Sequence, residues 1–110
     1  MINVSELRGK YVYLAGPYAI GHQGQNVRNI TLIADSLMNQ GVFVFNPLLS
    51  HFHQLLAPRS QEFWYAYDLK WLEKCEVMLF MPGESKGVDL EIAHAIKKGI
   101  PVYRIEEIEL

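Results

Sequence analysis

Asp68 and Glu91 are the residues whose type and placement can do chemistry in this chain. Two carboxylates flanking one bond are what glycosidic cleavage needs: one attacks the anomeric carbon and the other manages protons. Glu91 follows an apolar run, Val77–Phe80, that stops at Pro82-Gly83, a strong turn signal. A helical pattern comes next, with Val88, Ile92, Ala95 and Ile96 spaced for one buried face. Glu91 therefore falls about one turn into a helix that starts just past the end of a strand. Backbone N–H groups at such a start favour the charged, nucleophilic form of a carboxylate. Tyr13, near the top of an earlier strand, can hydrogen-bond that carboxylate and fix its aim. On spacing alone, a solvated Glu that merely favours the helix dipole fits position 91 as well.

Other chemistries find less support. His51 and His53 share one stretch, but no matching Cys or third ligand pattern accompanies them, so no metal is expected. There is no Gly-x-Ser-x-Gly elbow for serine catalysis, and Cys75 lacks an activating neighbour. His94 lies one turn after Glu91, placed either to orient it or to serve the fold. Trp64, Tyr65 and Trp71 recur at helical spacing, a pattern commoner in cores and interfaces than in base-stacking platforms. The glycines at 16, 21 and 24 fit neither a GxGxxG nor a GxxxxGK[ST] phosphate loop.

The elements that must position these residues alternate. Lys10–Ala15 reads as a first strand, its near-continuous apolar character suiting a central parallel strand buried on both faces. Gly16-Pro17 ends it, and a loop runs to Gln25. A helix is expected from Asn26, with Val27, Ile30, Ile33, Ala34, Leu37 and Met38 on one face and Gly41 as its stop. Val42–Phe45 is a second strand closed by Asn46-Pro47. Leu48–Ser60 reads as loop or a short irregular helix. Helical spacing returns at Phe63, Tyr67, Trp71 and Leu72. Cys75–Met81 is the third strand, the Glu91 helix runs to about Lys98, and Ile100–Ile105 is the fourth strand, with Pro101 marking a strand opening or an edge. Met1–Gly9 is a short lead-in, and Glu106–Leu110 is a tail, a helical turn or an intersubunit contact.

Strands alternating with helices predict an α/β fold, a parallel sheet of four to five strands with helices on both faces. Right-handed crossovers bring all the strand ends to one edge. There Gly16, Pro17, Asn46, Ser85 and Gly87 form a predicted ligand cleft with Glu91.

Composition limits the function classes. One domain is expected over the 110 residues, and 50% hydrophobic with 20% charged residues is ordinary for a globular protein. A net charge of −2 without Lys/Arg blocks argues against nucleic acid or a membrane surface as partner. A single cysteine fits a reducing cytoplasm, and no apolar run approaches the ~20 residues that span a bilayer.

Tyr13-Leu-Ala-Gly-Pro17, then Asp68, then Ser85-Lys-Gly-Val-Asp-Leu-Glu-Ile-Ala-His-Ala95 resemble the nucleoside 2-deoxyribosyltransferase superfamily. That superfamily includes the 2′-deoxynucleoside 5′-monophosphate N-glycosidases. The resemblance covers nearly the whole chain, and the Ser85–Ala95 pattern is its most specific part. It implies a flavodoxin-like sheet and a covalent deoxyribosyl-enzyme intermediate. Glu91 matches the nucleophile, Asp68 the acidic residue beside the reacting base and sugar, and Tyr13 the tyrosine that orients the nucleophile. Ser85 matches a serine that contacts the 5′-phosphate in the monophosphate-hydrolysing branch. That branch continues its first-strand glycine with Ser-x-Arg, whereas this chain reads Pro17-Tyr18-Ala19 and so lacks a bidentate phosphate partner there. The stretch Asn46–His51 is similar to a small uncharacterised subgroup.

The expected function is cleavage of the N-glycosidic bond of a (deoxy)nucleoside or its 5′-monophosphate, by hydrolysis or base transfer, without a cofactor. The alternative is a non-catalytic nucleotide-binding or regulatory module of the same fold. Transferases of the superfamily often complete each site with a neighbour's C-terminus, so a homo-oligomer, dimer or higher, is expected. The aromatic helix Phe63–Trp71 is the candidate interface.

Overall fold

A computed structural model describes residues 2–109. Its centre is β2 (Tyr11–Ala15), in which Val12, Tyr13, Leu14 and Ala15 are wholly buried. An apolar run this unbroken needs cover on both faces, and it has it. Val12 and Leu14 pack with Ile30, Ala34 and Leu37 of α1 (Gln23–Asn39) on one face. Tyr13 and Ala15 pack on the other with Leu72 of α3 (Gln61–Leu72) and with Val88 and Ala95 of α4 (Lys86–Lys97). Each fully buried aliphatic side chain of this kind contributes roughly 1.5–3 kcal/mol by leaving water.

β2 lies between β3 (Phe43–Phe45) and β4 (Val77–Phe80), and β5 (Val102–Arg104) flanks β4, giving a four-stranded parallel sheet in the order β3-β2-β4-β5. Tyr13 is level with Phe45 on one side and Met78 on the other. The chain leaves β2 through α1 to one flank and returns through α3 to the other. The connections therefore diverge between β2 and β4, which places a crevice beyond their carboxyl ends. This is the expected flavodoxin-like α/β architecture. β5, preceded by Pro101, is an edge strand.

Glycine sets two helix ends. At Gly41 (φ +83°) and Gly99 (φ +74°) the chain enters the left-handed region. Each next residue then reaches back to an orphan carbonyl, Val42 N–H to Leu37 and Ile100 N–H to Ala95.

Several boundaries differ from the expected ones. α1 begins at Gln23 rather than Asn26, because the His22 imidazole accepts from the Gln25 N–H as an N-cap. Between Asn46 and Ser60 lie a 3-10 turn, Pro47–Leu49, and a short helix α2 (Ser50–Leu56). The lead-in is also ordered. β1 (Ile2–Asn3) enters a 3-10 turn, Val4–Leu7, through a capping box of Asn3 and Glu6. The tail resolves as a 3-10 turn, Ile105–Glu107, and β6 (Ile108–Glu109), which pairs in parallel with β1 and buries Ile108. Met1 and Leu110, parts of the expected lead-in and tail, lie outside the described residues. No helix among the described residues is long and apolar enough to cross a membrane.

Candidate active site

Glu91 is the sixth residue of α4, the helix that leaves the β4 end. Ser85 starts that helix, its hydroxyl accepting from the Val88 N–H at 3.2 Å. The apolar stripe Val88, Ile92 and Ala95 faces the sheet, and this rolls Glu91 toward the top of β2. There the buried Tyr13 hydroxyl donates to the Glu91 carboxylate. Asp68 reaches the same space from α3, whose first turn is capped by Ser60.

The three groups perturb one another. Burial pushes the Glu91 carboxyl up to about 7, and nearby Asp68 adds to the rise while the Tyr13 hydrogen bond opposes it. Burial likewise raises Asp68 to about 7. Tyr13 is held well above the usual phenol range, first by burial and then by both acids, so it stays a donor. The expectation that helix-start N–H groups keep Glu91 ionised is corrected here. Its donor is the Tyr13 hydroxyl, and Glu91 lies past the first turn of α4 in a desolvated position.

Asp68 and Glu91 line a cavity of about 410 Å³. Gly16, Ser85 and Gly87 line it too, whereas Tyr13 supports Glu91 from beneath. Gly16 has a packing reason for being glycine: a Cβ there would stand 2.4 Å from Ile30 Cδ1. The neighbour that comes close at Gly16 is thus a side chain of α1. Pro17 packs against Gly83, off the cavity wall. Asn46 is buried, its carboxamide oxygen capping the Pro47–Leu49 turn by accepting from the Leu48 N–H at 3.1 Å. It does not line the space shared by Asp68 and Glu91.

Other residues take different roles from those their sequence positions imply. His94 turns away from Glu91 and lies 2.8 Å from the Glu73 carboxylate. His51 Nδ1 lies 2.7 Å from the hydroxyl of Tyr18, a wall residue, and His53 meets Trp64 edge-on. Trp64 and Tyr65 form cavity wall rather than core, while Trp71 stacks on Phe45 elsewhere. Cys75 is half-buried, and burial lifts its thiol to about 11, which leaves it unreactive. Gln54, Arg59 and Gln61 complete much of the polar wall without having been singled out in the sequence. Arg59 and Gln61 flank the Ser60 cap at the start of α3, and Gln54 lies in α2.

Residues 10–105 match the family described as Domain of unknown function (DUF7768). The chain belongs to this family. No curated protein matches it in sequence. Among solved structures, this DUF7768 chain is similar to the 2-deoxyribosyltransferase of the psychrotolerant bacterium Bacillus psychrosaccharolyticus. The TM-score is 0.59 at 20% identity, over 86% of this chain and 70% of that one. At that identity the likeness is one of fold.

Proposed function

We propose that the protein cleaves the N-glycosidic bond of a deoxynucleoside or deoxynucleotide through a glycosyl ester on Glu91. The observation that carries this reading is that Asp68 and Glu91 line one cavity beyond the β2 and β4 ends while Tyr13 hydrogen-bonds Glu91 from behind. At about 410 Å³ the cavity falls within the range of small-ligand sites. The aromatic faces of Trp64 and Tyr65 offer a wall for a planar base. The fold shared with a 2-deoxyribosyltransferase supports the same reading.

In the first step a Glu91 oxygen bonds to the anomeric carbon as the bond from that carbon to the base nitrogen breaks. The electron pair leaves with the base, which takes a proton from Asp68 or from solvent. With both acids near 7, neutrality populates the useful arrangement in which one is ionised and the other protonated. Tyr13 holds the attacking carboxylate in one rotamer and offsets its desolvation. In the second step water or another base attacks the same carbon, the ester breaks, and the Glu91 carboxylate is restored. Hydrolysis and transfer differ only in that second nucleophile.

The test is base release from a panel of deoxynucleosides and their 5′-monophosphates, with Glu91→Ala as control. Release that disappears in the variant supports the assignment. Saturable binding without turnover in the wild type would instead favour a non-catalytic nucleotide-binding module.

A further inference from the structure

Three charged side chains line the cavity among the described residues: Asp68, Glu91 and a single cation, Arg59. Arg59 neither pairs with a carboxylate among the described residues nor contributes to the shift of either acid. It shares the cavity wall with both acids without ion-pairing to either. Its position is held with some care. The Gln54 carboxamide clamps the Arg59 backbone from both sides, accepting from its N–H at 3.0 Å and donating to its carbonyl at 3.1 Å. The Trp64 indole N–H locks the same carboxamide at 2.6 Å. The guanidinium carbon lies 4.4 Å from the centroid of the Phe63 ring. Cation–π stacking occupies one face of a guanidinium and leaves its planar fork of N–H donors free.

We infer that Arg59 is a specificity residue that takes an oxyanion of the substrate, a phosphate monoester or a carboxylate. The inference rests on the function proposed above and narrows it to anionic nucleosides. An unpaired fork beside a wet cavity binds such a group bidentately, which a neutral nucleoside cannot reproduce. Tyr18 and Ala19, on the same cavity wall, carry no cation.

The experiment measures equilibrium binding and base release for the common deoxynucleosides and their 5′-monophosphates, with deoxyorotidine as the carboxylate arm. Wild type, Arg59→Ala and Arg59→Lys are compared. An anionic ligand should be favoured over its neutral counterpart by about tenfold or more, as expected for a charge-assisted bidentate contact. Arg59→Ala should bring the two to near parity, the loss falling mainly on the anionic ligand, and Arg59→Lys should keep part of the preference. Whichever anionic arm gains identifies the source of the oxyanion. Equal handling of neutral and anionic ligands by the wild type, or equal loss of both in Arg59→Ala, overturns the inference. In that case Glu91-dependent release from a neutral nucleoside leaves the proposed function standing. Failure of every ligand to bind or react overturns both.

Discussion

The hydroxyl of Tyr13, on the central strand of the sheet, donates to the carboxylate of Glu91, 78 residues further along the chain. That one hydrogen bond ties the most buried part of the fold to the group assigned to attack. It also fixes how activity should depend on pH. In the proposed mechanism Glu91 reacts without its proton and Asp68, where it is the acid, gives one; both lie near 7. The profile of kcat/KM should be a bell centred near neutrality, falling on the acid side as Glu91 protonates and on the basic side as Asp68 ionises. A profile still rising well above pH 9 would remove Asp68 as the acid.

Tyr13→Phe separates positioning from packing. The ring stacks on Phe45 at 5.5 Å, and phenylalanine fills the same space, so the variant should fold. Losing a hydrogen bond to a charged group costs ~1.5–3 kcal/mol, so kcat should fall by roughly tenfold or more. The acid limb of the profile should move to higher pH, because the hydroxyl is what lowers Glu91. An unmoved limb would mean that Tyr13 serves the core alone.

The fold carries a cost for holding Glu91 where it is. Its folded-state pKa, about 7, lies above the ordinary 4.5, so the native state binds protons more readily than the unfolded chain. Its contribution to stability therefore falls as pH rises from about 4.5 to about 7. Glu91→Gln removes the buried charge. At pH 8 the variant should be more stable than the wild type by about 2 kcal/mol, and by pH 5 the difference should nearly vanish. Denaturant titration at both values measures this. A variant destabilised equally at both would show that burial does not strain this carboxylate.

Gly16 is held to glycine by Ile30. A Cβ at that position would sit 2.4 Å from one Ile30 carbon and 2.6 Å from another, so the buried Ile30 side chain would have to shift. Gly16→Ala should cost about 1–3 kcal/mol, as overpacking does. The same change in an Ile30→Ala background should cost clearly less, a coupling that a double-mutant cycle reads. Additive costs would place the strain in the backbone instead.

The sequence disclosed those features whose signal is local or periodic. The apolar runs of β2 and β4 read as buried strands because nothing but a covered parallel strand tolerates them. Gly41 and Gly99 marked helix ends that the left-handed backbone confirms. Less legible were features whose physical basis is long-range. β1 and β6 are two-residue strands from opposite ends of the chain that pair with each other, and neither carries a pattern of its own. α2 buries none of its residues, so its apolar positions report no face. A histidine cap hid the start of α1, since imidazole is not among the usual N-cap groups. At the site, Asp68, Glu91 and Tyr13 drew notice as carboxylates and a tyrosine near strand ends, and it was the resemblance that assigned them roles. Trp64 and Tyr65 could not be picked out, because an aromatic facing a cavity and one facing a core look alike in sequence. Asn46 was open to two readings for a related reason: a carboxamide after a strand can bind a ligand or cap a turn, and here it caps.

The measurement closest to the central claim is mass spectrometry of the protein quenched in acid during turnover of a deoxynucleoside substrate. The account predicts a sugar adduct that maps to the peptide containing Glu91, is absent in Glu91→Gln, and accumulates in step with released base. Base release at full rate in Glu91→Gln, or an adduct mapping to another residue, would contradict it.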